Sequence, residues 1–204
     1  LFKNFSDDIY ELSLETYYKK MNDELFNLIE RLANLLRQET RAEGLSLGLQ
    51  PIQQEALYYL STCNRYSDTT LAVTEFLGLT KGTVSQSLKI LENKSLIMKE
   101  KDEHDKRITH LKVTKIGSNF LATTCPPPKF TQAISRLRET EQKIAVNLLS
   151  DVLKNYQITT GRNAFGVCKN CKFNQRTLTG IVCGLTKETL STDETMLICR
   201  EYSI

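Results

Sequence analysis

The segment that most constrains the fold runs from residue 69 to residue 94, where two short amphipathic stretches flank a tight turn. Gly78 suits the left-handed backbone conformation of a sharp turn, and Thr80 is placed to cap a following helix. We predict helices over 69–77 and 81–93, packed through Leu71, Ala72, Phe76, Leu79, Val84, Leu88 and Leu91. The outer surface is then small and polar, with Ser85, Gln86, Ser87 and Lys89, which is typical of a helix-turn-helix.

The next segment has the pattern of a β-hairpin. Residues 96–100 and 108–113 have the composition of strands, and the charged residues 102–107 form the turn between them. A hairpin directly after a helix-turn-helix is a wing. Thr114 is then placed to cap a helix that extends to about Thr124.

Long helices are predicted on both sides of this unit. Residues 8–43 carry leucines at three- and four-residue steps, namely Leu25, Leu28, Leu32, Leu35 and Leu36. A second helix is predicted from Pro51 to about Cys63. After the prolines at 126–128, residues 129–157 are predicted to form one more long helix. Its apolar residues are Ile134, Leu137, Ile144, Val146, Leu148, Leu149 and Leu153, as expected of a helix that packs on a partner.

The order of these elements and their residues resemble the MarR family of winged helix-turn-helix repressors over roughly residues 25–155. The resemblance rests on Leu71-Ala72, Leu77-Gly78-Leu79-Thr80, Thr83-Val84-Ser85, Leu91-Glu92, Asp102, Asp105-Lys106-Arg107 and the segment 111–117. Two positions depart from the family pattern. Ser95 stands where the family often has glycine, and Glu103 replaces the usual proline of the wing.

The resemblance implies a mainly α (α+β) fold and a homodimer that binds a pseudo-palindromic operator in double-stranded DNA. It divides the chain into a dimerisation helix (1–48), a winged helix-turn-helix domain (49–117), C-terminal dimerisation helices (118–160) and a tail (161–204). The predicted DNA contacts are Thr80, Thr83, Ser85, Gln86 and Lys89 of the recognition helix, with Lys106 and Arg107 of the wing. The alternative for Arg107 is that the wing aspartates pair with it and shape the hairpin.

The tail lies outside the resemblance and contains four of the six cysteines. Cys168, Cys171, Cys183 and Cys199 have the pattern Cys-x2-Cys-x11-Cys-x15-Cys, which indicates a metal site made of thiolates. Zinc is the first expectation for the cofactor, and an iron–sulfur cluster is the alternative, because the second pair is split by 15 residues. Redox thiols without a metal also stay open. Cys63 and Cys125 are expected to be small buried apolar residues.

Composition restricts the function further. The net charge of +3 is small, but residues 1–45 are acidic in balance while the later segments are basic, which allows a nucleic-acid partner. No apolar run is long enough to cross a bilayer, and the first residues do not resemble an export signal, so we expect a soluble, cytoplasmic protein. Gly44-Leu45-Ser46-Leu47-Gly48 matches a hydrolase pattern but joins two predicted helices, and no catalytic role is expected for it.

The sequence thus favours a regulator that is not an enzyme, with a metal or redox signal at the tail that changes the spacing of the two DNA-reading heads. One rival is a regulator with a purely structural zinc and a small-molecule effector. A rival of another class is a thiol redox enzyme that uses the tail cysteines.

Overall fold

The computed structural model describes residues 5–161, 165–178 and 180–203, and in this part of the chain helices dominate. The helices are α1 (Phe5–Gly44), α2 (Pro51–Thr62), α3 (Thr70–Leu77), α4 (Lys81–Asn93), α5 (Lys115–Thr124), α6 (Pro128–Ile134) and α7 (Glu139–Thr160). The strands are β1 (Ile97–Lys101), β2 (Thr109–Val113), β3 (Gly166–Val167), β4 (Asn174–Thr177), β5 (Gly180–Cys183), β6 (Thr189–Leu190) and β7 (Ile198–Cys199). The predicted fold class, a mainly α winged helix-turn-helix, is confirmed.

Local capping sets the bounds of the helix-turn-helix, and the turn at Gly78 and the cap at Thr80 are as predicted. The side chain of Thr69 accepts a hydrogen bond from the amide of Ala72 at the start of α3. Gly78 ends that helix with a φ of 65°, in the left-handed region that glycine adopts without strain. Thr80 then caps α4 by accepting from the amide of Thr83.

The core lies where α2, α3 and α4 meet the wing. Its largest fully buried side chains include Tyr59, Leu57, Leu88, Leu91, Leu96, Ile97 and Leu111. The predicted packing is wrong for Leu71 and Leu79, which are exposed, because Ala72, Val73 and Phe76 form the inner face of α3 and Leu79 lies in the turn. Ser87 was expected outside but is buried, since it follows Val84 by three residues on the inner face of α4.

The wing is a two-stranded antiparallel hairpin. Its register runs from Ile97 opposite Val113 to Lys101 opposite Thr109. Ser95, in the turn between α4 and β1, has a φ of 57°. The position where the family often has glycine therefore does require the left-handed conformation.

The C-terminal helical region differs from its prediction. The single helix expected over 129–157 is two helices, α6 and α7, with a break at residues 135–138. The break has a local cause: the carboxylate of Glu141 accepts a hydrogen bond from the backbone amide of Arg138 at 2.8 Å and so starts a new helix there. Leu137 lies in the break instead of on a helical stripe.

The two longest helices, α1 and α7, leave many apolar side chains exposed. On α1 from residue 14 onward these are Leu14, Tyr17, Tyr18, Met21, Leu25, Phe26, Leu28, Ile29, Leu32 and Leu35. On α7 they are Ile144, Val146, Leu148, Leu149, Val152, Leu153, Tyr156 and Ile158. No helix of the described residues has the length and apolarity to cross a membrane.

The tail packs on the helix-turn-helix unit. Phe165, at its start, makes edge-to-face contacts with Tyr59 of α2 and Phe76 of α3. Near its end, the carbonyl of Ile198 accepts a hydrogen bond from the amide of Asn64 at 2.9 Å. The tail strands form two small antiparallel sheets, β3–β7 and β4–β5–β6, held against this surface.

Candidate nucleic-acid interface and cysteine site

An open cleft of about 1350 Å³ lies between α3, α4 and the wing. Six basic residues line it, namely Arg65, Lys81, Lys101, Arg107, Lys112 and Arg200, together with the four acidic residues Glu100, Asp102, Glu103 and Glu188. The short polar side chains of Thr70, Thr74 and Ser85 lie on its helical side. A concave, cationic surface beside a helix N-terminus is suited to a polyanion such as a nucleic-acid backbone.

The predicted contact residues of α4 are all exposed. Ser85 lines the cleft, whereas Thr80, Thr83, Gln86 and Lys89 lie on the exposed surface of the same helix. The hydroxyls of Thr80 and Thr83 are 2.9 Å apart and hydrogen-bond each other. The structure thus gathers these side chains on one solvent-facing element, and their individual contacts with DNA stay predictions.

At the wing tip, Arg107 is paired with Asp105. Its Nη2 lies 2.7 Å from Oδ2 of Asp105 and its Nε lies 2.9 Å from Oδ1, while the arginine side chain stays 90% exposed. This hydrogen bond from Arg107 lowers the pKa of Asp105 below its usual value. The pairing that the sequence offered as an alternative is therefore present, but it leaves the guanidinium accessible at the mouth of the cleft.

Asp102 organises the turn of the wing. Its Oδ1 accepts hydrogen bonds from the amides of His104 and Asp105, and its backbone carbonyl accepts one from Lys106 Nζ. The amide of Asp105, the ring of His110 and the amide of His104 together lower the pKa of Asp102 to about 2. Lys106, a predicted DNA contact, is thus fixed at the turn.

A buried carboxylate anchors the wing to the rest of the domain. Asp68, which is 4% exposed, lies 2.5 Å from Nδ1 of His110 and 2.6 Å from Nζ of Lys112, both on β2. The hydrogen bond to Asp68 raises the pKa of His110, against a smaller opposing effect of desolvation. This histidine-carboxylate contact couples the loop before α3 to the hairpin.

Several residues of the cleft were missed by the sequence analysis. They are Arg65, Thr70, Thr74, Lys81, Lys101 and Lys112. Lys81, the first residue of α4, was detectable as a cation directly after the Thr80 cap. The others required the folded arrangement, because they come from α3, the preceding loop and both wing strands.

Comparison with known proteins shows what the helix-turn-helix and wing are similar to. A family model described as a winged helix DNA-binding domain matches residues 49–117. Residues 49–117 thus have the sequence pattern and the fold of a winged helix domain. An uncharacterised HTH-type transcriptional regulator of Bacillus subtilis, YwaE, is 30% identical over 92 residues, which are 44% of this chain and 54% of that protein. The match thus spans about half the length of this relative.

Solved structures show the fold that carries this winged helix domain. The regulator SlyA matches with a TM-score of 0.54 at 20% identity over 66% of this chain and 95% of its own. A MarR regulator from Methanosarcina mazei matches with a TM-score of 0.53 at 16% identity, over 67% and 99% of the two chains. A MarR-family regulator from Silicibacter pomeroyi also has a TM-score of 0.53, at 22% identity over 63% and 86%. These structures show that the chain has the fold that the resemblance to the MarR family implied.

The four tail cysteines lie beyond the matched winged helix domain and line one cavity of about 140 Å³. Apolar side chains of Phe173, Leu185 and Leu190 complete much of its wall. Within the described residues, no three His, Cys, Asp or Glu side chains are grouped closely enough to hold a single metal ion. The tail sheets are antiparallel, so Cys168 and Cys171 do not lie in a thioredoxin-like βαβ unit.

The two remaining cysteines lie outside this cavity. Cys63 is buried at the end of α2, as predicted, and burial raises the pKa of its thiol to about 12. Cys125 is only half-buried after α5, and it packs against the core of the winged helix domain.

Proposed function

We propose that the chain is a transcription regulator that binds double-stranded DNA sequence-specifically as a homodimer. The observation that carries the proposal is the cationic cleft between α4 and the wing of a winged helix DNA-binding domain. The cleft of one protomer would engage one half-site of the DNA. Of its basic side chains, Lys81, Lys101 and Arg107 would contact phosphates and fix the register, which leaves sequence reading to α4.

In this proposal α4 enters the major groove. Gln86 is able to form paired hydrogen bonds with adenine, and Lys89 is able to bind guanine or a phosphate. Ser85, with Thr80 and Thr83 at the helix start, supplies short hydroxyls for nearby base edges or phosphates. Arg107 and Lys106 at the wing tip would reach the flanking phosphates or the minor groove.

A second copy of this chain is the proposed occupant of the exposed apolar faces of α1 and α7. Each face carries at least eight exposed large apolar side chains, far more than scattered surface positions would supply. Both helices flank the winged helix domain in sequence, so their mutual packing would set the distance between two α4 helices. A half-site spacing of about 34–36 Å fits two successive major grooves. We further propose that the regulator acts as a repressor.

The test is a selection of binding sites from a pool of randomised DNA duplexes with the full chain. The expected product is a pseudo-palindrome whose half-sites are centred about ten base pairs apart. Gln86→Ala and Lys89→Ala should each weaken binding by about tenfold, and binding should weaken steeply with added salt. Lys143→Ala on α7 removes the same charge away from the cleft and should leave affinity unchanged. Enrichment of no sequence, or equal binding by all three variants, would refute the proposal.

A further inference from the structure

The four tail cysteines line one cavity of about 140 Å³. A tetrahedral zinc site has zinc–sulfur bonds of about 2.3 Å, which places its four sulfurs only about 3.8 Å apart. The described cysteines do not meet such a criterion, although all four line the same cavity. A single water requires about 10–15 Å³ on the scale on which this cavity measures about 140 Å³. The cavity therefore has room for a group of several atoms.

We propose that this cavity holds an iron–sulfur cluster bound by Cys168, Cys171, Cys183 and Cys199. Four thiolates are the usual ligand set of such clusters, and an apolar wall around them is favourable because it limits access of water. Loading is a ligand exchange without net redox change: each thiol releases its proton to solvent as its sulfur bonds to iron, and the solution supplies sulfide with ferrous and ferric iron in equal amounts. Of the two cofactors expected from the sequence, we thus favour the iron–sulfur cluster over zinc.

Each of the four sulfurs also has a hydrogen-bond donor from the protein. The amide of Ser203 lies 3.4 Å from the Cys171 sulfur, and Nδ2 of Asn174 lies 3.6 Å from that of Cys168. Backbone amides after Cys183 hydrogen-bond its sulfur, and the side chain of Asn64 hydrogen-bonds that of Cys199. Donors of this kind stabilise thiolate ligands and tune a bound cluster.

The donor to Cys199 belongs to the winged helix domain, which places the cavity next to the DNA-reading elements. We name residues 64–68 the junction loop. On one side, Asn64 contacts Cys199, and the hydroxyl of Ser67 accepts a hydrogen bond from the amide of Arg200 at 2.9 Å. On the other side, Asp68 holds His110 of the wing.

A second connection joins the tail to α3. The guanidinium of Arg200, directly after Cys199, binds the carboxylate of Glu75 through Nε at 2.5 Å and Nη2 at 2.9 Å. Arg65 of the junction loop pairs with Glu188 and Glu194 of the tail. Resting on the proposed function, the second part of the inference is that cluster loss loosens the tail and the junction loop and thereby weakens DNA binding.

The first experiment tests the cluster itself. The full chain, purified without oxygen and reconstituted with sulfide and equal amounts of ferrous and ferric iron, should turn brown and contain iron and acid-labile sulfide in equal amounts, about two to four of each per chain. Cys171→Ser and Cys183→Ser should abolish the colour. Cys125→Ser, a thiol outside the cavity, should keep it.

Zinc is the competing outcome. Retention of about one zinc per chain through reconstitution, in a colourless protein that excludes iron, would overturn the cluster proposal. Iron that binds equally well to Cys171→Ser would overturn the assigned ligands.

The second experiment tests the coupling on the DNA selected above. The cluster-free chain should bind this DNA at least about fivefold more weakly than the loaded chain. Ser67→Ala, which keeps all four cysteines but removes the hydroxyl that accepts from Arg200, should retain the colour and reduce this difference. Equal affinity of the loaded and cluster-free chains would overturn the coupling and leave the proposed function intact. A brown protein that binds no duplex would instead refute the proposed function and the coupling, while the cluster would stand.

Discussion

At the residue scale, Ser95 has a backbone conformation that favours glycine, and this should lower the stability of the fold by a measurable amount. Its φ of 57° lies in the left-handed region, where a side chain costs about 1–2 kcal/mol relative to the right-handed helix. Ser95→Gly should therefore raise the free energy of unfolding by about 0.5–1 kcal/mol, after the greater flexibility of glycine in the unfolded chain is subtracted. Ser118→Gly makes the same change on the exposed face of α5 and should lower it. Urea denaturation of both variants measures the two signs.

The contact of His110 with Asp68 predicts a pH dependence of stability. Because the pKa of His110 is raised in the folded state, its contribution is complete below the unfolded value of about 6.5 and is lost as the pH rises through the folded pKa. The stability difference between the wild type and His110→Gln should therefore shrink as the pH rises from about 6 to about 9. Urea denaturation across this range measures it. A difference that stays constant with pH would show that the ion pair contributes nothing.

Residue-level prediction from the sequence succeeded where the cause was local. The cap at Thr80 and the turn at Gly78 depend on neighbours within four residues, and the structure has them as expected. The prediction for Ser87 was wrong because a small polar side chain is typical of the surface, although this position on α4 faces inward. The sequence did not indicate the role of Asp68, since its partners His110 and Lys112 are more than forty residues away.

At the element scale, the wing allows its two interpretations to be separated. Arg107→Ala should weaken DNA binding about tenfold and reduce the slope of affinity against salt by about one ion if the guanidinium contacts a phosphate. Asp105→Asn weakens the pair and removes a negative charge from the wing, so it should tighten binding. Fluorescence anisotropy over a salt series compares them. Unchanged affinity and slope in both variants would mean that the pair only shapes the hairpin.

Element bounds were predictable to within one or two residues wherever a cap or a proline marked them. α4, the wing strands and α5 are of this kind. The break between α6 and α7 was not predicted, because the apolar spacing continues across it and Glu141 is not preceded by a typical capping residue. A change of helix direction without glycine or proline leaves little trace in periodicity.

At the scale of the whole molecule, the position of the tail was the main feature beyond reach of the sequence. The cysteine spacing indicated a shared site, and from the sequence alone this site was expected to change the spacing of the two DNA-reading heads of the dimer. The structure instead places the tail on α2 and α3, through Phe165 and Arg200. Such contacts join residues about 100 or more positions apart, and no local pattern encodes them.

The last prediction concerns the exposed apolar surface of α1 and α7. If a second copy covers it, Leu149→Glu places a carboxylate in an apolar interface twice, once from each subunit. Dimerisation should weaken by at least about 100-fold, because an unpaired buried charge costs several kcal/mol. Asn147→Glu introduces the same charge on the polar face of α7, beside Lys143 and Lys154, and should remain dimeric. Sedimentation velocity separates the two forms, and the monomeric variant should bind single half-sites weakly while losing its preference for the palindrome. A Leu149→Glu protein that stays dimeric would place the interface elsewhere.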